Sequence, residues 1–308
     1  MKPLYKKKYK GTTKSSPLLL IALPGILYLF INNYIPMFGI FLAFKDYSFV
    51  KGIFGSDWSG LSNFKYLFSQ DAFIITRNTI LYNLAFIIIG TIVSIVIAIF
   101  MCELGERFRV KFFQSALLLP NLLSWVVIGF IGYAFLNSDT GFLNNTVLRL
   151  LGKESVSWYM AKEYWPFIIV LVYLWKTAGY SSIIYMASIS GIDKSIYEAA
   201  KIDGATKLQQ IKNITLPLLK PTVVILTLMS IGRIFYSDFG LFYQVPMNSG
   251  ALFDVTQTID TYVYRGLMEL NNVGMSAAAG LYQSLIGFLL VMAANGIVKK
   301  FDKENALF

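Results

Sequence analysis

The sequence predicts an all-α membrane protein with six transmembrane helices, and three observations carry that reading. The 308 residues are 56% hydrophobic and only 14% charged, whereas an ordinary soluble domain carries about 25% charged residues. A chain this apolar has too little polar surface to cover a globule, so the bilayer is part of its solvent. Six apolar stretches, at about 17–44, 79–102, 112–136, 165–190, 215–237 and 276–298, each meet the roughly 20 residues that a spanning helix needs. The basic residues fall in short clusters beside these stretches rather than on one face, so they read as topology signals and not as a nucleic-acid surface.

The first stretch follows a tail, residues 1–16, with Lys2, Lys6, Lys7, Lys8, Lys10 and Lys14 and no acid. The apolar run after Pro17 is too long for a signal-peptide core, so the tail is expected to stay attached. Pro24, Gly25 and Pro36 predict a kink or an early end to the first helix. With the N-terminus inside, Arg107, Arg109, Lys111, Lys194, Lys201, Lys207, Lys212, Lys299, Lys300 and Lys303 are cytoplasmic. Lys45, Lys51, Lys65, Arg77, Arg149, Lys153, Lys162 and Arg265 spread over longer outer loops. This is the positive-inside bias, and it expects both termini in the cytoplasm. The domain division is then a tail 1–16, a six-helix domain 17–298 and a tail 299–308.

Between the fourth and fifth stretches lies a polar block, residues 191–217. Ser195 and Glu198 have the spacing of a capping box, with Asp193 as an alternative cap. A helix from there carries Glu198, Ala199 and Ala200 and stops near Asp203 and Gly204, the latter suited to a left-handed turn. A second helix places Leu208, Ile211 and Ile214 on one stripe before Leu216 and Pro217 lead into the next span.

Glu198, Ala199, Ala200, Gly204, Ile214, Leu216 and Pro217 stand in the register of the EAA loop. In this the chain resembles the permeases of binding-protein-dependent ABC importers. Leu119-Pro-Asn121, Ser124-Trp125, Gly141-Phe-Leu-Asn144, Trp175-Lys176 with Gly179, and Asp260 to Arg265 are similar to the oligosaccharide and polysaccharide branch called LplB-like. The resemblance implies a type I importer permease fold whose EAA loop is a coupling helix docked on a cytoplasmic ABC ATPase dimer. It implies a second homologous permease as heterodimer partner, an extracellular solute-binding protein and an oligosaccharide substrate. ATP and magnesium would belong to the ATPase. This chain has no GxxxxGK[ST] phosphate loop, and no cofactor, catalytic residue or metal is expected in it.

Ionisable groups in a span cost at least ~2.5–3.5 kcal/mol at its centre, so Lys176 and Arg233 need a reason. Either they are scaffolding, snorkelled or paired, or they line the path of a polar solute. Asp238, five residues after Arg233, is a possible partner if the helix loosens between them. Sugars are bound by aromatic faces with amides and hydroxyls, which makes Asn83, Asn121, Trp125, Tyr173, Tyr180, Tyr236, Tyr282 and Gln283 candidate lining residues, with packing as the alternative for each. Two other functions compete. A membrane glycosyltransferase needs clustered acids or metal ligands, and one cysteine, Cys102, with no histidine offers little. A stand-alone carrier has no use for an EAA loop.

Overall fold

The computed structural model describes residues 16–105 and 107–301. The lysine-rich tail before Ser16 and residues 302–308, with Lys303, lie outside it.

The first apolar stretch is helical throughout but changes pitch. It begins as α1 (Ser16–Leu29), passes through a π segment at Phe30–Tyr34 and finishes as a 3-10 helix to Phe44. Pro24 and Pro36 each remove a helical donor, and of the expected kink or early end the chain shows a change of pitch without an early end. A two-residue bridge pairs Lys45 with Trp58 and Asp46 with Asp57. It leads to α2 (Ser62–Gln70) and then to α3 (Ala72–Glu103), the longest helix at 32 residues. At 1.5 Å per residue α3 is about 48 Å long.

The third expected span is broken. α4 (Arg107–Leu122) and α5 (Trp125–Leu136) are inclined by 97° across a two-residue gap. Pro120 weakens the end of α4, and Ser124, extended at φ −70° and ψ 155°, starts α5 by accepting from the Val127 amide. α6 (Trp165–Ser190) is unbroken and packs along α3. α4 reaches α6 closely because Gly179 has no side chain: a Cβ there would lie 2.1 Å from the Leu117 carbonyl oxygen.

The polar block folds as α7 (Lys194–Ile202), α8 (Lys207–Gln210) and a π turn, Ile211–Thr215, that runs into α9 (Leu216–Ile231). α9 stops six residues before the expected end at 237. The chain turns through Gly232–Phe235 and resumes at α10 (Phe239–Gln244). α11 (Ile259–Met268) and α12 (Val273–Phe301) complete the described chain.

Two apolar clusters hold these helices together. Tyr82, Phe86, Ile128, Trp165, Ile169 and Phe242 form one, and Leu67, Ile75, Phe235, Ile259, Tyr262 and Met275 the other. By contrast, α1 leaves Leu20 66% and Ile21 77% exposed. A face that apolar belongs against lipid or another helix.

Candidate functional site

Two places are built with unusual local chemistry: the loop of α7 and α8, and the point where the breaks in the membrane helices meet.

In the loop, Asp193 is the cap of α7, accepting from the Ser195 amide at 2.9 Å. The Ser195–Glu198 capping box does not form. The two Ser195 hydrogen bonds hold the Asp193 carboxyl below its ordinary pKa. A box does form at the start of α8, where Thr206 accepts from the Gln209 amide and Gln209 accepts from the Thr206 amide at 2.7 Å. Between the helices Gly204 takes φ +79°, the expected left-handed turn. Glu198, Ala199, Asp203, Leu216 and Pro217 are exposed, and Ala200 and Ile214 are half-buried. The expected stripe is not a buried face, because Leu208 is 75% exposed while Ile211 and Ile214 are only half covered. Ile196 and Ile202 are also exposed, leaving apolar side chains open on a polar loop.

The loop is fastened to the membrane helices at two points. The Tyr197 hydroxyl meets Thr215 Oγ1 at 2.9 Å, and Lys207 Nζ pairs with Glu103 Oε2, at the end of α3, at 2.8 Å. Neither was foreseen from the sequence.

At the breaks, buried and half-buried polar side chains serve the backbone. Lys176, 8% exposed, donates to the carbonyls of Pro120 at 3.4 Å, Asn121 at 3.0 Å and Leu123. These carbonyls lie where the helical donors of α4 run out, and that of Pro120 also accepts from the Leu123 amide at 3.2 Å. Asn83 donates to the carbonyls of Thr79, Ile234 and Tyr236, and so holds the turn after α9. Gln283 donates to Phe235 O at 2.7 Å and to both oxygens of Asp260 at 3.2 Å. Asp260 also accepts from the Ser237 amide at 2.7 Å. Lys176, Asn83 and Gln283 thus all donate to backbone carbonyls about the breaks.

Trp125, the first residue of α5, crosses to the other break. Its Nε1 donates to Asp238 Oδ2 at 2.8 Å, and Asp238 also caps α10 by accepting from the Leu241 amide. The ring seats on Gly240, where a Cβ would lie 2.2 Å from Trp125 Cδ1, and Lys176 Nζ is 5.0 Å from its centre. The expected Arg233–Asp238 pair is therefore absent among the described hydrogen bonds and ion pairs. The helix does loosen between them, but Trp125 and the α10 cap occupy the carboxylate, and Arg233 is exposed.

The remaining candidates divide by exposure. Tyr173 stacks on Phe86, and the Tyr282 hydroxyl meets Thr76 Oγ1 at 2.9 Å. Tyr180 is 56% and Tyr236 48% exposed, and Asn121 and Trp125 are half-buried. Trp125, Arg233, Tyr236 and Asp238 are the candidates gathered about the breaks with surface to offer.

Among the described residues no group of three or more potential metal ligands occurs.

Residues 106–303 match the family of binding-protein-dependent transport system inner membrane components. The chain belongs to that family. This permease is 34% identical over 289 residues to the polygalacturonan/rhamnogalacturonan transport system permease protein YteP of Bacillus subtilis, covering 94% of this chain and 89% of the relative. It is 31% identical over 305 residues to the arabinooligosaccharides transport system permease protein AraP of the same organism, covering 98% and 92%. In three dimensions it superposes on a chain of a bacterial ABC transporter involved in the import of the acidic polysaccharide alginate, with a TM-score of 0.85 and 28% identity. That match covers 96% of this permease and 99% of the other chain. A second match, TM-score 0.84, is to the alginate transporter in complex with an alginate pentasaccharide-bound periplasmic protein. The permease is thus a multi-pass membrane subunit of an ABC importer, a transport component and not an enzyme.

Proposed function

We propose that this permease forms half of the pathway by which an oligosaccharide or polysaccharide fragment enters the cell. The carrying observation is the match along nearly the whole chain to a polysaccharide importer, at a TM-score of 0.85, joined by relatives named for polygalacturonan/rhamnogalacturonan and for arabinooligosaccharides. A second, homologous permease completes the pathway as a heterodimer, and a solute-binding protein delivers the sugar from outside. A separate cytoplasmic ATPase dimer carries the ATP and magnesium, and its closure reaches this chain at Glu198–Gly204. The exposed Ile196, Ile202 and Leu208 supply an apolar docking surface there. From the loop, movement passes through the Glu103–Lys207 pair into α3 and rocks the helices between inward-open and outward-open states.

The reading is tested by reconstituting the complete complex and measuring binding-protein-dependent ATPase activity across neutral and acidic oligosaccharides, peptides and phosphate. Stimulation confined to oligosaccharides is expected, and stimulation by peptide or phosphate alone overturns the substrate class. Orientation is checked by cysteines at Val50, 96% exposed, and at Ile202, 87% exposed. An impermeant thiol reagent should label the first in intact cells and spare the second.

A further inference from the structure

Asp71 and Glu103 flank opposite ends of α3, so whatever surrounds Asp71 lies on the far side of the molecule from the Glu103–Lys207 contact and the α7–α8 loop. At that far end is a cavity of about 190 Å³ lined by Asp71, Phe253, Gln257, Arg265 and Glu269, with Leu270 at its edge. It has room for about six waters at ~30 Å³ each. None of the pathway residues described above lines it.

Arg265 is 7% exposed, yet its guanidinium is only partly used. Nη1 donates to Asn248 Oδ1 at 3.0 Å, and the guanidinium carbon lies 3.9 Å from the centre of the Phe253 ring. Asn248 in turn donates to Glu269 Oε1 at 3.0 Å. Nη2 is buried and has no hydrogen-bond acceptor among the described residues. A buried arginine donor without an acceptor is unfavourable, so an acceptor brought by a ligand is favoured there. The other charged groups lining the cavity are the carboxylates of Asp71 and Glu269, which only accept.

This combination selects among ligand chemistries. A carboxylate would satisfy Nη2 but face two acids. An ammonium would suit the acids and leave Nη2 unmet. Neighbouring hydroxyls do both at once, since each donates one hydrogen and accepts through its oxygen. We propose that this cavity is a saccharide subsite at the outer end of the permease, binding the vicinal hydroxyls of one uncharged sugar residue. The assignment rests on the oligosaccharide reading above and adds a place where the substrate is held outside the helix breaks.

The test uses the complete transporter in nanodiscs without its binding protein, with arabinotriose as the neutral probe and trigalacturonate as the acidic one. Saturation-transfer NMR should show binding of arabinotriose in preference to trigalacturonate. Leu270, 63% exposed at the cavity edge, allows an occluding variant that leaves Arg265 in place. Leu270→Trp should weaken arabinotriose binding roughly tenfold by filling the mouth of the cavity, and Glu269→Gln by a similar factor by replacing a charged acceptor with a neutral one. Equal binding by wild type and both variants, no saccharide signal in wild type, or preference for trigalacturonate overturns the subsite. So does a change in affinity for the binding protein with no saccharide signal, which would mark the cavity as a protein contact. Binding-protein-dependent ATPase assays on the same preparations separate the two failures. If sugars stimulate ATPase without direct binding, only the subsite fails; if no sugar stimulates it, the substrate reading fails.

Discussion

The indole nitrogen of Trp125 donates to Asp238 Oδ2 at 2.8 Å, tying the restart of one interrupted membrane helix to the restart of another. Trp125 opens α5 after the 97° break, and Asp238 caps α10 after the end of α9. Irregular backbone at membrane depth persists only where its polar groups are satisfied from within the protein or where it lines a cavity. Here one hydrogen bond links two such places, and the close seat of the ring on Gly240 fixes its geometry.

A charge-assisted hydrogen bond of this kind contributes about 1.5–3 kcal/mol. Trp125→Phe and Asp238→Asn should each destabilise the purified permease, and a double-mutant cycle should show coupling well above zero. The same cycle with Arg233→Gln in place of Trp125→Phe should be additive. Additivity in the first cycle would mean that the pair does not join the helices.

Lys176 gives a second expectation. Lys176→Met keeps the bulk of the stem but strands the carbonyls of Asn121 and Leu123, at about 1–3 kcal/mol for each that water does not reach, while Pro120 keeps the Leu123 amide. Unfolding in detergent should shift to lower temperature, with transport of every substrate falling alike. A change confined to one substrate, at unchanged stability, would instead place Lys176 on the solute path.

How much of this could be read from the chain differs by element. The long apolar runs and the Glu198–Gly204 turn were legible because hydrophobic length and a glycine at positive φ are local signals. The Thr206–Gln209 box was equally legible, as a threonine followed three residues later by glutamine, and the Ser195–Glu198 spacing earlier in the loop is the same local pattern without the box. The break after Leu122 was not. Proline is tolerated in many membrane helices, and the side chain that satisfies the carbonyls at this break, Lys176, lies more than 50 residues away in sequence. Arg233 and Asp238 invited pairing because they are near in sequence. The actual partner of Asp238 comes from another helix, and no local pattern encodes it.

The Glu103–Lys207 pair offers a test of how the loop grips the membrane helices. Both side chains are substantially exposed, so the pair should matter little for stability, within about 1 kcal/mol. Its expected role is positional. Lys207→Glu should lower solute-stimulated ATPase with little change in unfolding temperature, and the swap Glu103→Lys with Lys207→Glu should restore much of it. Failure of the swap, with both single variants impaired, would remove the ion pair from the route.

Gly204 carries the last prediction, because its geometry separates backbone strain from crowding. Its φ is +79°, and a Cβ placed there meets nothing within 4 Å. A substitution is therefore opposed by conformation alone, at roughly 1–2 kcal/mol for an ordinary L-residue and more for a β-branched one. Asparagine visits this region more readily. Coupling should fall in the order Gly204→Asn, Gly204→Ala, Gly204→Val, read as solute-stimulated ATP hydrolysis by the complete transporter. Membrane insertion and yield should stay level, since the turn is exposed and lies outside both apolar clusters. Equal loss in all three would mean that the partner's surface, and not the turn, excludes any side chain here. Near-normal uptake by Gly204→Val would show that the angle between α7 and α8 is not what the ATPase reads.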